Sequence, residues 1–197
     1  GNGNRVGAGA SFLDIDQDGD LDLFVANYLK FSCEKNIART VRGYSQYAGP
    51  LDYPPESNTV YKNNGDGTFS DVTRLAGIAD HFATGMGFIC ADYDNDRDTD
   101  IFVANDMLGN FLFRNNGTGE FEAVGLISGF AYALNGNAHS SMGIDCADFD
   151  NDGLLDFYVT SYARELATLY RNLGNGSFED VGLAAGAASS VLPYVTW

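Results

Sequence analysis

"DIDQDGDLDLFVAN" (Asp14–Asn27) decides the fold of this chain. Five aspartates stand at alternate positions in nine residues, and a short apolar run follows them. The device returns as "DYDNDRDTDIFVAN" (Asp92–Asn105) and "DFDNDGLLDFYVTS" (Asp148–Ser161). Carboxylates crowded into one tight loop repel one another unless something positive lies between them. The match extends beyond the loops. A glycine stands five residues before each first aspartate (Gly9, Gly87, Gly143). Downstream, "YKNNGDGTFSDV", "FRNNGTGEFEAV" and "YRNLGNGSFEDV" run in parallel, each followed at one offset by a glycine (Gly77, Gly129, Gly186).

Loop starts at 14, 92 and 148 define a repeat of about 55 residues with one insertion. The apolar runs are short, rich in Val, Phe, Tyr and Ile, and bounded by Gly, Asn or Asp, which is strand chemistry with turn punctuation. Each repeat reads as strand, aspartate loop, strand, connection, strand, tight turn, strand, the turns carrying Asn-Gly or Asp-Gly. The predicted fold is all-β: blades of four antiparallel strands, about three of them, belonging to a larger closed β-propeller. The expected units are residues 5–80 (with an insertion at 29–57), 81–136 and 137–193. A fourth is expected to start at 194–197, Trp197 standing where Met86 and Met142 do. More blades in the same chain, or other chains, are expected to complete the ring. Helical patterning is confined to a turn or two at "ARELATLY" (Ala163–Tyr170).

The chain has 197 residues, 45% of them hydrophobic, enough for one domain with a core. Its net charge of −16 argues against nucleic acid or an anionic membrane as partner. Fourteen of the 27 acidic residues lie in the three loops, so the acidity is localised chemistry. No apolar run approaches the roughly 18 residues of a membrane span. Three cysteines are too few for a disulfide framework and wrongly spaced for zinc. Cys90 and Cys146, each two residues before a loop, are read as small buried core residues. The insertion carries Cys33, Lys30, Lys35, Arg39, Arg42, Tyr44, Tyr47 and Tyr53. It is either a cap over a blade edge or a contact surface.

The spacing D-x-D-x-D-G-x-x-D suits calcium, which takes six to eight oxygen ligands. The expected side-chain ligands are Asp14, Asp16, Asp18 and Asp22; Asp92, Asp94, Asp96 and Asp100; and Asp148, Asp150, Asp152 and Asp156. The seventh positions, Asp20, Asp98 and Leu154, are expected to offer backbone carbonyls. That gives about three Ca2+ sites. Position six needs glycine for the sharp turn; Gly19 and Gly153 comply and Arg97 does not, which predicts strain or weakness in the second loop. An EF-hand is excluded, because position twelve is Val25, Val103 or Val159 within a strand rather than a helix-borne Glu. Dockerin-like loops also lead into helices.

The unit "DxDxDGxxDLFVAN … LYRNNGDGTFxDV" resembles the FG-GAP/VCBS repeats of integrin-α-type propellers. More narrowly it is similar to the cartilage-acidic-protein/UnbV-like family of secreted propellers, above all in "YKNNGDGTFSDVTRLAGIAD" (Tyr61–Asp80). The resemblance implies calcium in the hairpin loop between the first two strands of each blade, and an extracellular or cell-surface location. It also implies an insertion with a local disulfide through a "CGP" segment, but here "YAGP" puts Ala48 at that cysteine's place.

The chain is poorly equipped as an enzyme: His81 and His139 occupy different repeat offsets, with no nucleophile at convincing spacing. The expected function is a calcium-stabilised extracellular propeller module for binding a protein or glycan ligand, or for scaffolding. Alternatives are a structural subunit of a multi-chain surface assembly or filament, and a lectin-like carbohydrate binder. Asn116 and Asn175 fit the glycosylation pattern, but both lie in the repeated hairpin turn.

Overall fold

The computed structural model describes residues 5–189, 192 and 194. The first repeat forms β1 (Gly7–Leu13) and β2 (Asp22–Asn27) on either side of the first aspartate loop. The insertion then contributes β3 (Arg39–Val41), β4 (Tyr44–Gln46) and β5 (Glu56–Ser57), and the blade ends with β6 (Thr59–Asn63) and β7 (Phe69–Asp71). After the short β8 (Phe82–Ala83), the second repeat forms β9 (Gly85–Ala91), β10 (Asp100–Asn105), β11 (Phe111–Asn115) and β12 (Phe121–Ala123). The third forms β13 (Ser141–Ala147), β14 (Asp156–Ser161), β15 (Thr168–Asn172) and β16 (Phe178–Asp180).

Three four-stranded antiparallel sheets result, ordered β1-β2-β6-β7, β9-β10-β11-β12 and β13-β14-β15-β16, each a propeller-type blade. The residues 163–165 of the helix-like segment make only a turn before β15. The entry to a fourth repeat at 194–197 lies, except for Tyr194, outside the described residues.

Strand periodicity explains the stacking. Successive side chains of a strand point to opposite faces, and β10 is apolar on both. Ile101 and Val103 join Leu13, Ile15, Phe24 and Val60 in a core between the first two blades. Phe102 and Ala104, on the other face, join Phe130, Phe157, Val159 and Tyr170 between the second and third. Phe102 stacks on Phe157 with centroids 3.8 Å apart and planes 25° apart. Each large apolar side chain so buried contributes about 1.5–3 kcal/mol.

The repeat glycines make close approach possible. A Cβ on Gly87 would overlap the Met142 carbonyl oxygen of the next blade, and one on Gly9 would come within 2.9 Å of the Phe88 ring. Gly77 and Gly129 hold φ of +78° and +82° while their Cα atoms face the backbone of Phe121 and Phe178 respectively.

One expectation needs correction. Cys90 and Cys146 are half-buried, not fully buried; they pack at the margins of the two cores because they sit where β9 and β13 near their loops. The insertion is buried at its two ends, at Leu29, Glu56 and Ser57, where β5 pairs with β8. Its residues 30–47 are exposed throughout, and β3 and β4 form a hairpin whose Arg42-Gly43 turn has φ of +51° and +83°, the pairing favoured in two-residue hairpins. The hairpin is anchored by an Arg39–Asp52 ion pair at 3.0 Å and at its neck by Lys30 N–H donating to the Pro54 carbonyl at 2.9 Å.

Candidate metal centres

The three aspartate loops share one backbone course. Position four is left-handed in each (Gln17, Asn95 and Asn151, φ +59°, +62° and +63°), and so is position six (Gly19, Arg97 and Gly153, φ +88°, +77° and +87°). Arg97 therefore takes the glycine conformation, at the energetic cost an L-residue bears there. The position-six N–H donates to the first carboxylate at 3.1, 2.9 and 2.9 Å (Asp14, Asp92, Asp148). The position-seven N–H of Asp20, Asp98 and Leu154 donates to the fifth carboxylate (Asp18, Asp96, Asp152) at 2.9 Å in each case. Backbone donors thus fold the carboxylates inward.

Carboxylate oxygens converge as a result. Asp14, Asp16 and Asp18 each offer one atom within 4.8 Å of the others, as do Asp92, Asp94 and Asp96, and Asp148, Asp150 and Asp156. Asp14 Oδ1, Asp16 Oδ1 and Asp92 Oδ1 are buried and have no hydrogen-bond donor. A buried anionic oxygen without a partner is costly; a hard cation is what such an oxygen set fits.

The ninth aspartate has a second task that the spacing does not reveal. Asp22, Asp100 and Asp156 are almost wholly buried, and each spends both oxygens on backbone donors. Asp22 accepts from Ile15 at 3.0 Å and Asn63 at 2.7 Å. Asp100 accepts from Tyr93 at 3.4 Å and Asn115 at 2.8 Å, and Asp156 from Phe149 at 3.1 Å and Asn172 at 2.9 Å. Burial pushes the Asp100 carboxyl up to about 8 against the pull of these donors, and raises Asp22 and Asp156 in the same direction. Asp20 is exposed and Asp98 half-buried; Asp98 takes a hydrogen bond from the Gln17 side chain, tying the first loop to the second.

The asparagine that ends each third strand was missed by sequence reasoning. Its side chain joins the loops of adjacent blades. Asn115 Nδ2 donates to Thr99 O at 3.2 Å in its own blade and to Ile15 O at 2.9 Å in the blade before. Asn172 repeats this with Leu155 O at 3.2 Å and Tyr93 O at 2.8 Å. The signal was present: Asn63, Asn115 and Asn172 occur in register in "YKNN", "FRNN" and "YRNL".

Burial pushes the Cys90 thiol up to about 12. The sequon asparagines are engaged in their turns, Asn116 Oδ1 accepting from Thr118 N–H at 3.0 Å and Asn175 Oδ1 from Ser177 N–H at 3.1 Å. A cavity of about 760 Å³ lies beside His139, Arg164 and Glu165. Glu165 there is occupied in accepting from Ser140 N–H at 2.8 Å and Ser161 Oγ at 3.1 Å. No helix among the described residues is long and apolar enough to cross a membrane.

The model of the FG-GAP-like repeat matches residues 47–103, 92–159 and 148–194. Cartilage acidic protein 1 of Xenopus tropicalis is 28% identical over 106 residues, which cover 54% of this chain and 16% of that protein. The aligned stretch is thus a small part of that relative's length. Among solved structures, an Agrocybe aegerita lectin described for specific recognition of non-reducing terminal N-acetylglucosamine is 18% identical, with a TM-score of 0.35 over 92% of this chain and 55% of that one.

Proposed function

The chain belongs to the FG-GAP-like repeat family, and on that premise we propose that it is a calcium-binding, extracellular or cell-surface propeller module that binds or scaffolds a partner rather than an enzyme. One observation carries the reading: three loops of one backbone course, each gathering carboxylates, the first two with buried oxygens that lack donors. The residues that would hold the ion are those at positions one, three, five and nine of each loop, with the position-seven carbonyls of Asp20, Asp98 and Leu154. A divalent ion there supplies the positive charge that offsets the clustered carboxylates. Oxygen-only loops of this kind work at the calcium levels found outside cells, and the similarity to a protein named for cartilage supports that location. Three ions would bring the formal charge from −16 to −10. The projecting β3–β4 hairpin, with Tyr44 and Tyr47 exposed to solvent beside Arg39 and Arg42, is the proposed contact surface.

Linkage makes the reading testable. A ligand that binds only the folded state stabilises it by about 2.7 kcal/mol per site at 100 times Kd, which for a chain of this size raises Tm by roughly 5–10 °C per site. Thermal unfolding after chelation, then with added Ca2+, is expected to show that rise, with about three ions per chain by native mass spectrometry. An unchanged Tm with no retained ions would sink the reading.

A second reading, an assembly subunit, is favoured by the open outer faces of the first and third blades. Phe149, the third loop's second residue, is 45% exposed, whereas Ile15 and Tyr93 at the same place are each 2% exposed beneath a neighbouring blade. On the first blade Phe69 is 41% exposed, against 8% for Phe121 and 7% for Phe178. We infer that these two faces are complementary and accept a further blade of the same kind, from further sequence of the same polypeptide or from another copy of this chain.

A further inference from the structure

The three loops share a backbone but differ in their cationic neighbours. Strand β6 carries Lys62 where β11 carries Arg114 and β15 carries Arg171. In the second blade Arg114 lies opposite Glu122 and pairs with it at 2.8 Å. In the third, Arg171 lies opposite Glu179 and pairs at 3.8 Å. In the first blade the residue opposite Lys62 is Ser70, which offers no charge. Lys62 turns instead to the aspartate loop, where Nζ bonds Asp16 and reaches Asp18 Oδ2 at 3.1 Å.

We propose that Lys62 is a tethered counter-ion of the first loop, so that this loop keeps its shape without a divalent ion and takes calcium more weakly than the other two. The proposal rests on the calcium reading above and concerns how one of its three centres is regulated. Asp16 and Asp18 hold positions three and five, so an ammonium on both occupies oxygens that an incoming ion needs. Binding there has to displace it, whereas Arg114 and Arg171 are already committed to glutamates across their sheets.

The test is a calorimetric Ca2+ titration of the full chain, with ions counted by native mass spectrometry. In the unaltered protein, two ions are expected to bind about tenfold more tightly than the third, and Asp16→Asn is expected to abolish only the weak step. Lys62→Gln removes the ammonium and raises the weak affinity about tenfold. Ser70→Glu leaves both loop and lysine intact but supplies the cross-strand carboxylate found in the other blades, and is expected to do the same. Combined with Lys62→Gln it should add nothing, because its effect passes through the lysine. Three equal affinities that neither Lys62→Gln nor Ser70→Glu moves overturn the proposal alone. No calcium binding at all, or binding that neither Asp94→Asn nor Asp150→Asn weakens, overturns the calcium reading and this proposal with it.

Discussion

At Arg97 a side chain occupies a backbone conformation that its two counterparts give to glycine, with φ +77° against +88° for Gly19 and +87° for Gly153. Left-handed backbone costs an L-residue about 1–2 kcal/mol, and glycine returns about 0.5–1 kcal/mol of that through greater freedom in the unfolded chain. Arg97→Gly is therefore expected to stabilise the calcium-free protein by about 0.5–1 kcal/mol in urea denaturation, keeping the hydrogen bond from residue 97 to Asp92. A neutral or destabilising result would mean that the Arg97 side chain holds something the strain argument omits. The need for a sharp turn at position six was legible because glycine recurs there in two loops of three. The left-handed fourth position was not, since Gln17, Asn95 and Asn151 share no single residue type. Nor was the double duty of the ninth aspartate. Spacing shows that Asp22, Asp100 and Asp156 can reach a loop centre, but not that the third strand returns from 41, 15 and 16 residues away to donate to them.

Strands were the most legible elements, because their apolar runs repeat in register and their loops mark the ends. What periodicity could not give was the closeness of neighbouring blades, which depends on small residues at crossing points. Gly87 on β9 lies against the Met142 backbone of β13, with no room for a methyl group. Gly87→Ala is expected to force the two strands apart and to destabilise the protein by about 2–3 kcal/mol in denaturant titration. Because the overlap is with backbone and not with a mobile side-chain end, relaxation is limited; a loss below about 0.5 kcal/mol would show that the strands separate freely. The insertion was the least legible element. Its length identified it as an addition to the repeat, but the Arg42-Gly43 turn that makes it a hairpin lacks the Asn-Gly or Asp-Gly signature of the blade turns. Its exposed middle stretch carries Phe31, Ile37, Val41, Tyr44 and Tyr47, so apolar content alone did not tell which way it faces.

Across the whole molecule, each inter-blade contact repeats one set of parts: an asparagine reaching back to the preceding loop, a phenylalanine entering the core, and a left-handed glycine facing the next blade. Gly77 faces Phe121 and Gly129 faces Phe178, but among the described residues a Cβ on Gly186 would meet nothing within 4 Å. The first blade shows the converse, since the Asn63 side chain donates to Leu21 O of its own loop at 3.1 Å and Phe69 is exposed. A first-blade face thus offers what the third-blade face lacks, and the proposed copy-to-copy contact would join the two. Such a contact is heterologous, so it builds rings or open filaments and not simple two-fold dimers. Sedimentation velocity in calcium is expected to show concentration-dependent association beyond a dimer. Added salt should strengthen it, because the chains carry like charge and screening reduces their repulsion. Phe149→Asp and Phe69→Asp, each spoiling one face, are each expected to leave monomers. Mixing the two variants unites one sound third-blade face with one sound first-blade face, and the mixture should stop at dimers. A wild-type chain that stays monomeric at about 100 times the concentration of a micromolar contact, or a mixture no larger than its parts, would exclude the copy-to-copy contact and leave these faces to some other partner.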